Sequence, residues 1–104
     1  MYAALTRTQG SNDEPIEVAT MVGEEMYRWL RDIDGFKGLL VLTNVEARTT
    51  NVVALWESRE VAERHRLARE QLRDRVTATV DVEVLAAEPY DVAFAALPEV
   101  RPTV

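Results

Sequence analysis

His65 is the only histidine of the chain, and it follows Trp56 within the stretch LWESREVAERH. An imidazole has an ordinary pKa near about 6.5, so it can accept a proton from a phenol or enol at neutral pH. That transfer is what oxidation by molecular oxygen without a cofactor requires, because the carbanion, not the neutral ring, passes an electron to oxygen. The competing reading of His65 is a core histidine held by a hydrogen-bond acceptor. Trp56 can stack an aromatic ligand, or it can anchor a core by burying roughly 150 to 250 Å². The same choice between pocket wall and packing applies to Trp29, Met26 and Tyr27, since a tryptophan beside a flexible methionine lines a pocket as well as it fills a core. Arg7, set between apolar residues, can neutralise an enolate or carboxylate in a cavity or pair with an acid across a sheet.

Other chemistries find no residues to carry them. Without cysteine there is no disulfide framework, thiolate metal site or sulfur nucleophile. One histidine and scattered carboxylates make no metal set, and Glu24, Glu25, Glu60 and Glu63 read as solvent-facing helix charges. Glycines are few and dispersed, so no phosphate loop is present, and no Ser-His-Asp signature appears. No cofactor is expected. A net charge of −6 argues against nucleic acid or an anionic membrane as partner. Apolar runs such as Leu39–Leu42 and Val53–Trp56 fall far short of the ~20 residues that span a bilayer. Met1 leads directly into a strand-like segment with no signal peptide, so the expected compartment is the cytoplasm.

The elements that must position these side chains follow from periodicity. YAALTRTQ, Tyr2 to Gln9, reads as a strand, and GSNDEP breaks it. Pro15 suits a first helical position, and Ile16, Ala19, Val22, Met26, Trp29, Leu30 and Ile33 then recur at helical steps behind the acidic start Asp13, Glu14 and Glu17. Asp34-Gly35 stops this helix, and FKGLLVLTNVE follows as a strand. VVALWE is the next strand. Ser58 caps a second helix expected to run to about Arg75, with Glu60–Arg64 and Arg66–Glu70 spaced for ion pairs. Its inward stripe is Val61, His65, Ala68, Leu72 and Val76, which turns His65 toward the interior. VTATVDVEVLAAEPYDVAFAAL reads as a long or broken last strand, demoted by Pro89 to an edge or a bulge. Residues 1–97 form one domain, and 98–104 a tail.

The order β-α-β-β-α-β predicts an α+β, ferredoxin-like fold, a four-stranded antiparallel sheet with both helices on one face. A sheet wet on one side should alternate apolar and polar residues, yet GLLVL and VVALW do not. The helices can cover only one face. The other is expected to meet a second copy of the chain, giving a homodimer through sheet faces.

The helix end DGFKG (Asp34–Gly38), the apolar strands ending in LWES (Leu55–Ser58), the charged second helix and the closing PYDVA together resemble the antibiotic-biosynthesis-monooxygenase-like family of dimeric α/β barrels, over residues 2 to about 96. The resemblance implies a homodimer with a pocket between sheet and helices in each subunit, open to a small apolar or aromatic ligand. It implies, in one branch, cofactor-free oxidation of aromatic polyketides such as anthrones by a tryptophan, an asparagine and a tyrosine. Trp56 or Trp29, Asn44 or Asn51, and Tyr2, Tyr27 or Tyr90 are the residues available for those roles. A haem-degrading branch uses an asparagine in the first strand, a tryptophan and a late-helix histidine. This chain has no such asparagine, and it carries Arg73 and Arg75 at the helix end. The expected enzyme is therefore a cofactor-independent monooxygenase with His65 as base; the alternative is a non-catalytic small-molecule-binding or structural homodimer.

Overall fold

The computed structural model describes residues 1–10 and 14–98. Its elements are β1 (Tyr2–Gln9), α1 (Pro15–Leu30), β2 (Phe36–Asn44), β3 (Thr49–Trp56), α2 (Arg59–Arg64), α3 (Arg66–Val80) and β4 (Glu83–Asp91). The strands make one antiparallel sheet in the order β2-β3-β1-β4, the ferredoxin-like arrangement. No described helix is long and apolar enough to cross a membrane. Of the expected tail, residues 99–104 lie outside the described residues.

Local chemistry fixes the element ends. Pro15 opens α1, where its missing N–H costs nothing, and Glu17 sits in the first turn, where the helix dipole favours a negative charge. Gly35 leaves that helix with φ +89°, and a Cβ there would lie 2.5 Å from Cγ1 of Val61. Glycine is thus required twice at this turn, for its backbone and for the approach of α2. Ser58 caps α2 as expected, its Oγ accepting from the Val61 N–H at 3.2 Å. The Glu60–Arg64 and Arg66–Glu70 pairs form at 3.6 and 3.5 Å, largely exposed, and contribute only about 0.2 to 0.5 kcal/mol each.

The second helical segment departs from expectation in two ways. It breaks at His65 (φ −105°, ψ 16°), and this shifts the phase: Ala62 is fully buried while Ala68 is exposed. It also continues past Arg75 to Val80, so VTATV is helix and not the start of the last strand. β-Branched residues favour strands, but Val76 and Val80 extend the four-residue step from Leu72 along the face toward the sheet, and that burial prevails. Thr77 and Thr79 return their hydroxyls to the carbonyls of Asp74 and Arg75, as helical threonines do. Asp81, left-handed at φ 54°, ends the helix. β3 begins earlier than expected, at Thr49, and β4 is an edge strand containing Pro89.

Strand alternation divides the sheet. Tyr2, Ala54 and Trp56 turn to the helices and pack with Leu30, Ala62 and Leu72 as the core. Leu5, Leu40, Leu42 and Val53 occupy the opposite face, where Leu42 is 52% exposed.

Candidate functional site

The register turns the helix-facing side of the sheet into a series of cross-strand ranks. The first joins Phe36, Trp56 and Tyr2; the second Leu39, Ala54, Ala4 and Pro89; the third Val41, Val52, Thr6 and Ala87; the fourth Thr43, Thr50 and Thr8. Alanines in the second rank leave unfilled height above the strands. A cavity of about 470 Å³ lies there, between the sheet and helices α1 and α3, within the roughly 300 to 1,000 Å³ usual for small-molecule sites. Val18, Val22, Met26 and Leu30 of α1 wall one side; Leu72 and Val76 of α3, with Arg66, Arg69 and Arg73, wall the other.

Trp56 is the fixed point of this cavity. Its side chain is wholly buried, with the Phe36 ring set edge-on at 5.5 Å and 72°. The His65 ring stacks on it, centroids 6.2 Å apart and planes 19° apart. The Arg69 guanidinium lies 5.6 Å from the indole centroid, held by a 3.0 Å bond from its Nε to the carbonyl of Ala62. The indole N–H is buried and has no hydrogen-bond partner among the described residues. Such a donor costs about 1 to 3 kcal/mol until something accepts from it.

Of the residues singled out from the sequence, Trp56 and Met26 line the cavity. His65 is half-buried and does not; the helix break holds it against the indole instead. Trp29 is 54% exposed on the outside of α1, donating to Glu25 at 3.3 Å with Arg75 stacked on its ring. Tyr27 is also exposed, its ring 6.3 Å from that of Phe36. Arg7 faces the far side of the sheet, where its Nε donates to Oδ1 of Asn51 at 3.0 Å. Asn44 accepts from the Ala47 N–H in the β2–β3 turn. Tyr90 is exposed and donates to Glu88, whose acceptor oxygen and charge hold the phenol pKa above its ordinary 10.0. The structure therefore brings a tryptophan and a tyrosine, Trp56 and Tyr2, to one end of the cavity, and no asparagine among the described residues joins them. Tyr2 and Thr8 were readable from period-two alternation in YAALTRT, where they share a face. No cluster that could hold a metal ion occurs among the described residues.

No protein-family model and no curated protein matches the chain. Solved structures do. An antibiotic-biosynthesis-monooxygenase-like protein from Deinococcus radiodurans is 14% identical, with 96% of this chain and 100% of that one aligned at a TM-score of 0.68. The ActVA-Orf6 monooxygenase of Streptomyces coelicolor, solved with nanaomycin D, is 15% identical over 94% of this chain and 92% of that one, also at 0.68. SnoaB, a cofactor-independent oxygenase from Streptomyces nogalater, is 18% identical over 94% and 98%, at 0.58. At these identities the likeness is one of fold, and the fold expected from the sequence is the one found.

Proposed function

We propose that this chain, which has the fold of the antibiotic-biosynthesis-monooxygenase-like proteins, is a cofactor-independent monooxygenase for a small aromatic or polyketide-like compound and works as a homodimer. The observation that carries the reading is the unpartnered N–H of Trp56 beside an apolar cavity of ring-holding size. An anthrone-type substrate lying over the Ala4–Ala54 rank can present its carbonyl oxygen to that donor. As the ring carbon loses its proton to water in the cavity, charge develops on this same oxygen, so the bond strengthens along the reaction. The enolate then gives one electron to O₂, the radical pair combines to a hydroperoxide, and loss of water leaves a second carbonyl. The net change is CH₂ + O₂ → C=O + H₂O. Arg69 and Arg73, in the same wall, favour the anion by charge.

Dimerisation is supported by the apolar helix-free face, where Leu5, Leu40 and Val53 adjoin one another across β1, β3 and β2. Oxygen uptake with a panel of anthrones tests the enzyme reading. One O₂ consumed per quinone formed is the expected result; tight binding without uptake would replace the enzyme with a binding protein.

That second reading has its own observation. His65, the expected base, is not a cavity residue, and among the described residues no other imidazole exists to replace it. A small-molecule-binding homodimer needs the cavity and the Trp56 donor but no base.

A further inference from the structure

We propose that the end of the cavity remote from Trp56 is a hydroxyl-lined subsite, built from Thr8, Thr43 and Thr50, that selects ring compounds bearing a hydroxyl or carbonyl group at their far end. The proposal rests on reading the cavity as a ligand site.

Register supplies the distance. Thr43, Thr50 and Thr8 stand opposite one another on three adjacent strands, and all three line the cavity. From the Trp56–Tyr2 rank to theirs is six residues along β1, or about 20 Å at roughly 3.3 Å per residue. A fused ring system lying lengthwise along β1 over the small second and third ranks brings the substituent at its far end to the threonines.

Valence supplies the chemistry. The hydroxyls of Thr43 and Thr50 are 3.1 Å apart, so one donates to the other and, among the described residues, the pair keeps one uncommitted O–H and several lone pairs. The Thr8 hydroxyl spends its proton on the carbonyl of Thr50 at 3.4 Å, a long bond, and keeps its acceptor capacity although the residue is only 7% exposed. One donor beside several acceptors matches an alcohol or phenol, and the donor alone matches a carbonyl. Packing does not ask for these hydroxyls. Valine has the shape of threonine, the preceding rank uses Val41 and Val52, and Val45, Val80 and Val82 also line the cavity. Hydroxyls turned into so apolar a space are costly unless something pairs with them.

The test compares 9,10-anthraquinone with 2,6-dihydroxyanthraquinone, read by quenching of Trp56 fluorescence in a Trp29→Phe background. The exposed Trp29 lies outside the cavity, so its removal leaves one reporter. The Thr43→Val/Thr50→Val protein should bind the unsubstituted quinone as the parent does and lose the parent's preference for the dihydroxy compound, expected at about tenfold. An equal preference in both proteins overturns the subsite while leaving the cavity reading intact. Failure of the parent to bind either quinone overturns both. Should the double substitution abolish all binding, the single variants decide: discrimination lost in Thr50→Val and kept in Thr50→Ser supports the subsite, and discrimination kept in both overturns it.

Discussion

His65 and Trp56 lie ring against ring, yet only the indole borders the cavity. The imidazole packs against the residue that lines the cavity. His65→Ala is therefore expected to lower stability by about 1 kcal/mol, the scale of an aromatic stacking term, and to leave the pH profile of any turnover without a limb that disappears with the ring. Denaturant unfolding and a pH–rate profile read the two effects separately. A large fall in turnover at unchanged stability would put the imidazole into the chemistry after all.

Trp56→Phe separates the indole's donor from its bulk. Because the N–H has no partner among the described residues, losing it removes a penalty, and the stability loss should stay below that of Trp56→Ala, about 3 to 5 kcal/mol. Affinity for a carbonyl-bearing ring should fall about five- to tenfold, the worth of one hydrogen bond, while a pure hydrocarbon of the same shape binds unchanged. Titration calorimetry with the two ligands reads the difference.

Gly35→Ala should cost well over about 1 kcal/mol, since the left-handed backbone and the Val61 methyl both oppose a Cβ. Adding Val61→Ala should return the steric part and leave the backbone part. A double-mutant cycle by urea unfolding measures that split.

On the far face, Glu88 accepts from Tyr90 at 3.1 Å and places a negative charge beside the phenol, so forming the phenolate is disfavoured and the pKa is raised. Glu88→Gln should bring the Tyr90 pKa down toward its ordinary value. Arg7 acts in the opposite direction, and Arg7→Met should raise it further. Phenolate absorbance against pH follows both shifts.

If two sheets meet face to face, a carboxylate at the centre of the contact cannot be accommodated. Leu40→Asp or Val53→Asp should yield monomers in sedimentation at concentrations where the parent is a dimer. A parent protein that sediments as a monomer at micromolar concentration would remove the argument from the open apolar face.

Architecture was legible because it depends on periods and punctuation. Pro15, Gly35 and Ser58 each stand where their backbone chemistry requires, and the element order follows from them. The site was half legible. Trp56 and Met26 could be placed, but His65 could not, because it stands at the break between α2 and α3, which holds its ring against the indole and leaves Ala68 exposed, while Leu72 and Val76 farther on keep the inward stripe. Trp29 misled for a different reason. It lies next to Leu30 in sequence, and Leu30, nearly fully buried, takes the interior position while the tryptophan flanks it outside. VTATV carries strand-forming residues that the cavity recruited as a helical wall, a choice made by tertiary contact and invisible to local preference.

The alternation of β1 also bears on how such a protein can change. Ala4, Thr6 and Thr8 border the ligand space, and Ala3, Leu5 and Arg7 border the opposite surface, although neighbours in each set are separated by one residue. If the cavity binds a ligand and the opposite face pairs two copies, as proposed, a change of ligand preference can accumulate at one set of positions without disturbing assembly at the other. One strand carries two independently mutable surfaces, and only a slip of register, exchanging the two sets, would force both to change together.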